Sequence, residues 1–120
     1  MDSGLRLQVD TYGPVAYLVT VGAGGRPHAV SVALAWSGDD LTTGAGSRTA
    51  ANIGDGSDVT LLWPPPPGGD YSLIVDGDAV VATGPSGPEV VVRPRSAVQH
   101  RVAGAPGDGP GCVAVPVVET

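Results

Sequence analysis

Bulky and small side chains alternate along residues 27–36. His28, Val30, Val32 and Leu34 fall on one side, and Ala29, Ser31, Ala33 and Ala35 on the other. A period of two predicts a strand, here with one bulky and one small face. Before it, Val15–Val21 is an almost continuous apolar run, expected as a buried strand. Ala23, Gly24 and Gly25 between them predict a turn, so the two strands form a hairpin. Ser37, Gly38, Asp39 and Asp40 turn the chain again into a third strand beginning at residues 41–43, and Gly44, Ala45 and Gly46 break it. Ser47 is expected as the N-cap of a short helix, its hydroxyl accepting from a free backbone N–H of the first turn. The helix is expected over residues 48–53, with Ala50, Ala51 and Ile53 facing inward and Gly54 and Gly56 stopping it.

The remaining pattern is mostly that of strands. Residues 1–12 fit two periods. Leu5, Leu7 and Val9 alternate as in a strand, while Leu5, Val9 and Tyr12 share one helical face. Gly13 and Pro14 end either element. Residues 59–63 read as an apolar strand, followed by four prolines at 64–67 that cannot donate to a ladder and form an extended surface loop. Residues 71–83 read as one long strand bent at Asp76, Gly77 and Asp78, in preference to a hairpin turning there. Residues 89–98 form the next strand, with Pro94 at an edge or bulge. Residues 104–111 are expected to be flexible and 112–118 to be a terminal strand. Five or six strands with one interrupting helix predict a small barrel, whose closure removes exposed edges.

Composition supports this picture. The chain has 19 glycines, 12 prolines and no phenylalanine, and valine is its commonest apolar residue. Beta-branched residues between frequent turn signals mean a mainly β chain of short strands. At 120 residues a single domain, 1–120, with one sizeable core is expected. No apolar run approaches the roughly 20 residues needed to span a bilayer. The first residues do not read as a signal peptide, and a cytoplasmic protein is expected.

Charge narrows the partners. The net charge is −6, and all six cationic side chains are arginines: Arg6, Arg26, Arg48, Arg93, Arg95 and Arg101. Nucleic-acid binding draws on many phosphate contacts from a basic surface, and anionic membranes also need cations, so neither partner is expected. Cys112 is the single cysteine, so no intrachain disulfide can form. It is expected as a small buried hydrophobe. His28 and His100 lie far apart in sequence, and no metal site is expected.

Few residues are candidates for chemistry. A glycine-rich loop leading to Ser47 and Arg48 at a helix start reads as an anion seat. The alternative for Arg48 is a surface arginine paired with Asp55 or Asp58. The small face of residues 29–35 either leaves room for a flat ligand or packs against another element; the pattern admits both. His28 reads first as a half-buried strand residue and second as an acid or base. Arg26 reads first as a turn residue and second as an anion contact. Trp36 and Trp63 read as core or subunit interface, or, for Trp63 and Tyr71, as packing on a bound ring. His100 and Arg101 read as a polar strand end, or as reaching a ligand across a subunit boundary. Only two glutamates occur, Glu89 and Glu119, and no Ser/His/Asp spacing or P-loop is present. No catalytic residue is assigned, and any hard chemistry falls to a cofactor.

The segments YLVTVGAGGRPHAVSVALAW, LTTGAGSRTAANI, VTLLW and YSLIVDGDAVV, in that order, resemble the pyridoxamine 5′-phosphate oxidase-like flavin split-barrel proteins and their deazaflavin-using relatives. The likeness runs from about residue 15 to residue 101. It is carried by G-R-P-H at a strand entry, G-S-R-x-x-x-N at a loop-to-helix junction, and V-D-G within a strand. It implies a mainly β, six-stranded split barrel, Greek-key-like, with one or two short helices, that forms a homodimer. It further implies FMN, or alternatively F420, bound in a groove at the dimer interface, with hydride transfer between the flavin N5 and a small-molecule substrate. On this likeness Ala29, Val30, Ser31, Val32 and Thr43 line the ring, and Ser47, Arg48 and Thr49 hold the phosphate. Thr49 stands where the family often has lysine, and losing a charge-assisted hydrogen bond costs roughly 1.5–3 kcal/mol. A dimer that carries a cofactor without turnover, or binds none, is the alternative.

Overall fold

The computed structural model describes residues 4–117. Residues 1–3 of the expected first element and residue 118 of the expected last one lie outside the described residues. The first element is helical: α1 spans Gly4–Tyr12. Leu5 and Val9, one turn apart, are both buried in the core, which settles the helix period over the strand period. Gly13, at a φ of 99°, caps the helix by donating to the Val9 carbonyl at 2.9 Å, a left-handed conformation that glycine adopts without a Cβ penalty.

Eight strand segments follow. They are β1 (Val15–Val21), β2 (Pro27–Ala33), β3 (Ala35–Ser37), β4 (Asp40–Gly44), β5 (Ser57–Trp63), β6 (Tyr71–Gly84), β7 (Gly87–Arg101) and β8 (Cys112–Val115). The helix α2 (Ser47–Ile53) joins β4 to β5. All strand pairs are antiparallel, in the order β2-β1-β5-β6-β7-β4-β3, with β8 also on β7. The end strands β2 and β3 are not hydrogen-bonded to each other. The sheet is therefore a split barrel, and the closed one expected from strand count alone is corrected.

The split arises where one strand was expected over residues 27–36. Leu34 leaves the ladder and donates its N–H to the Pro14 carbonyl at 2.7 Å. The chain bends there, so β2 pairs with β1 while β3 pairs with β4 at the far end of the sheet.

The bend expected at Asp76–Asp78 is present inside a single long strand. The β6–β7 register shifts between Asp76 and Gly77, so that Asp76 faces Ser96 and Gly77 faces Pro94. This is a bulge, which curls the sheet. Pro94 sits where β7 passes from β4, paired with its residues up to Val92, to β8, paired from Ala97. On that side neither β4 nor β8 pairs with Pro94, so the N–H that proline lacks is not missed by either strand.

The concave side holds the core: Leu18, Leu41, Leu61, Trp63, Leu73, Val75, Val90 and Val92 are buried, together with Leu5, Val9 and Ile53 from the helices. Trp63 is fully buried, and its Nε1–H donates to the Gly13 carbonyl at 2.9 Å. Of the two readings of Trp63, the core placement holds, and packing on a ring bound by another subunit is corrected. Trp36 is half-buried beneath Arg6, whose guanidinium carbon lies 4.2 Å from the ring centroid.

Two further expectations change. The run Val15–Val21 is buried on one face only: Ala16, Leu18 and Thr20 point inward, while Val15, Tyr17 and Val21 are exposed. An antiparallel strand needs cover on one side only. Cys112 is exposed, facing His100 across the β7–β8 ladder, because a short outer strand covers neither of its own faces. The loop 102–111 is tied down: the Arg101 guanidinium donates to the carbonyls of Ala105, Pro106 and Gly107, and the Tyr71 hydroxyl to that of Pro110.

Candidate functional site

The β1–β2 hairpin and α2 build the site. The hairpin turn is a 3-10 turn at Ala23–Gly25, with Gly24 and Gly25 at positive φ. It is closed by the Gly22 N–H donating to the Arg26 carbonyl at 2.9 Å. Register then pairs Thr20 with His28, Val19 with Ala29 and Tyr17 with Ser31. Paired residues share a face of the sheet. Ala29, Ser31 and Ala33 are accordingly exposed on the convex side, and Val30 and Val32 are half-buried against the core. The small face is open within one chain.

The loop-to-helix junction differs in detail from expectation. Gly46 is the N-cap, in extended conformation, and its carbonyl accepts the first helical bond from Ala50 at 2.9 Å. Ser47 therefore lies inside the helix, and the cap role assigned to it is corrected: no side chain caps this end. Ser47 and Arg48 are exposed. Thr49 and Ile53, one turn apart, form the buried side of α2. Ala51 is exposed, so the inward face expected for this helix is rotated. Thr49 is only 4% exposed and Thr43 9%. The hydroxyl expected from Thr49 thus faces the interior, because the Thr49–Ile53 pair is the one that meets the sheet.

The helix is held close to the hairpin. The Asn52 Nδ2 donates to the Thr20 hydroxyl at 3.0 Å. A Cβ on Gly22 would come within 2.7 Å of the Asn52 Oδ1. Between hairpin and helix lies a cavity of about 180 Å³ lined by Gly22, Ala23, Arg26, Pro27, His28, Arg48 and Asn52. Two arginines far apart in sequence and one histidine meet there. The His28 Nδ1 is buried with no hydrogen-bond partner among the described residues.

Charge pairing sets this cavity apart. Arg6, Arg93 and Arg95 make ion pairs with Asp39, Asp40 and Asp78, and Arg101 holds loop carbonyls. Neither Arg26 nor Arg48 makes an ion pair among the described residues, and the expected alternative partners of Arg48, Asp55 and Asp58, do not bind it. Wherever else an arginine is placed, an acid or carbonyl already answers it. At this cavity none does among the described residues. The sequence singles out Arg48, and gives Arg26 as an anion contact and His28 as an acid or base only as second readings, after turn and strand. The signal that would have joined them is hairpin register together with the face of α2 packed on it. Among the described residues no group of three or more His, Cys, Asp or Glu is placed to hold a metal ion. No helix among them is long and apolar enough to cross a membrane.

No family model matches the sequence. Uncharacterised proteins of Mycobacterium bovis and Mycobacterium tuberculosis are each 39% identical to it, over 83% of this chain and 81% of theirs. Among solved structures, a Clostridium acetobutylicum protein related to general stress protein 26, of the pyridoxinephosphate oxidase family, superposes with a TM-score of 0.67. It covers 98% of this chain and 97% of its own at 10% identity. The Group A Streptococcus protein HupZ gives 0.62 at 15% identity, over 79% of this chain and 90% of its own. A candidate pyridoxamine 5′-phosphate oxidase from Listeria innocua gives 0.58 at 18% identity, over 78% and 90%. The chain therefore belongs to one family with the mycobacterial proteins, and its fold is the split barrel of the pyridoxamine 5′-phosphate oxidase-like proteins.

Proposed function

We propose that this chain is a homodimeric split barrel that binds a phosphorylated flavin-type cofactor, FMN or alternatively F420, and transfers hydride to or from a small molecule. The observation that carries the binding reading is the exposed Arg48, which makes no ion pair among the described residues and lines the cavity at the entry of β2. Arg48 meets the phosphate in bidentate fashion, and Ser47 adds a hydroxyl. Ala29 and Ser31 present the surface for the ring. Val30, Val32, Thr43 and Thr49 support these contacts from beneath, since all four are wholly or partly buried. When bound, the cofactor supplies the hydride chemistry, and the chain supplies orientation and electrostatics. Titration of the purified protein with FMN and F420 in turn, followed by fluorescence, is expected to show binding of one. Arg48→Ala is expected to weaken it by about tenfold to a hundredfold. Wild-type protein that binds neither cofactor would sink the reading.

The dimer rests on the convex face. Val15, Tyr17 and Val21 are 56%, 45% and 50% exposed in a row along β1. Contiguous apolar exposure of this kind marks an interaction surface, and a twofold pairing places the same patch on both subunits. Light scattering of the wild-type protein is expected to give twice the chain mass, and Tyr17→Asp to give a monomer. A monomeric wild type at micromolar concentration would contradict this part of the proposal. Cofactor binding without turnover is the competing reading, favoured by a cavity that no carboxylate lines. Steady-state turnover of loaded protein with a reductant and a defined acceptor separates the two.

A further inference from the structure

We propose that Arg26 is the second cation of the anion seat and that, with Arg48, it clamps a phosphate group in the cavity between the β1–β2 turn and α2. This deepens the cofactor reading and rests on it for the identity of the ligand, though not for the chemistry of the seat. At about 180 Å³ the cavity falls below the roughly 300–1,000 Å³ of pockets that enclose a whole ligand. Its size suits one group of a ligand rather than the whole.

Both guanidinium-bearing residues line it, and neither has an anionic partner among the described residues. Two like charges beside one small cavity repel, and an anionic phosphate group between them turns that repulsion into attraction. In a chain with twelve acidic residues to six arginines, two arginines lacking acidic neighbours form a local exception to the overall charge.

The backbone holds Arg26 where this requires. Its carbonyl accepts from Gly22, and the two glycines before it take positive φ to close the turn. Arg48 is brought to the same cavity because Asn52, one turn further along α2, bonds Thr20 on β1. Asn52 is thus a positioning residue. Gly22 permits the approach, since a side chain there would press on Asn52. His28 lines the same wall.

The phosphoryl group can belong to a cofactor or be free, and the test has an arm for each. Calorimetric titrations use pyrophosphate, FMN, F420 and riboflavin, which has the ring without phosphate. Wild type, Arg26→Ala, Arg26→Lys and Arg95→Ala are compared, with melting curves to verify folding; Arg26 is exposed, so its variants are expected to melt with the wild type. Arg26→Ala is expected to weaken every phosphate-bearing ligand that binds by at least about tenfold, to leave riboflavin unchanged, and to be partly rescued by Arg26→Lys. Arg95→Ala, in an ion pair outside the cavity, is expected to change nothing. FMN or F420 binding equally to wild type and Arg26→Ala overturns the clamp and leaves the cofactor reading standing. Pyrophosphate binding that depends on Arg26, with neither cofactor bound, upholds the clamp and overturns the cofactor reading. Wild type that binds none of the phosphate-bearing ligands overturns both.

Discussion

Trp63→Ala is expected to lose about 3–5 kcal/mol of stability, the range for truncating a large buried aromatic. A domain of this size is held by only about 5–15 kcal/mol, so the variant is expected to be largely unfolded on modest warming. Two effects combine. The fully buried indole fills the core beside Leu61, Leu73 and Val75, and its removal leaves a cavity that the stiff sheet closes only in part. It also ties α1 to the sheet, because its Nε1–H donates to the carbonyl of Gly13, the residue that caps that helix. Trp63→Phe separates the two. It keeps most of the apolar volume and leaves the Gly13 carbonyl without its partner, at a cost of about 1–3 kcal/mol. Urea unfolding followed by circular dichroism measures both. An alanine variant within about 1 kcal/mol of wild type would contradict the interior placement of this side chain.

Gly77→Ala is the second large effect, at about 3 kcal/mol. At the β6–β7 bulge an added Cβ would overlap the Arg93 carbonyl oxygen and lie 3.1 Å from its carbon and 3.2 Å from the Pro94 Cα. These are backbone atoms, so no side chain can swing away. Gly111→Ala makes the contrast: nothing lies within 4 Å of its added Cβ, and a change within about 0.5 kcal/mol is expected. Thermal melts of the two variants compare them directly. Equal melting temperatures would mean that the bulge relaxes freely and does not set the curl of the sheet.

The bulge was legible because its cause is local. Asp76, Gly77 and Asp78 inside an apolar strand, and Pro94 inside the next, carry their conformational limits with them wherever the chain goes. Helix α2 was legible for the same reason, between glycines at either end. Its rotation was not: alanines on both sides of a seven-residue helix leave its buried face undefined until Thr49 and Ile53 meet the sheet. Residues 1–12 satisfied two periods, and burial of Leu5 and Val9 in the core, with the Leu5 N–H on the Pro116 carbonyl, selected the helix. The exposure of Val15, Tyr17 and Val21 was hidden because an unbroken apolar run does not say which of its faces is covered.

The candidate site divides along the same line. Ser47 and Arg48 after a glycine-rich loop, and the alternating small residues of β2, stand out from the sequence because each belongs to one contiguous segment. By itself the sequence determined the mainly β class, the turns, the long bent strand and the arginine at the helix start, all consequences of periodicity and of the restricted backbones of glycine and proline. Only the tertiary structure decided that the split falls at Leu34, that Cys112 lies outside, and that Arg26, His28 and Arg48 share a cavity lined by no acid among the described residues. The physical reason is common to all of these. Which faces meet, and which charges are left without a partner, depends on the register and packing of segments distant in the chain, and no local pattern carries that information.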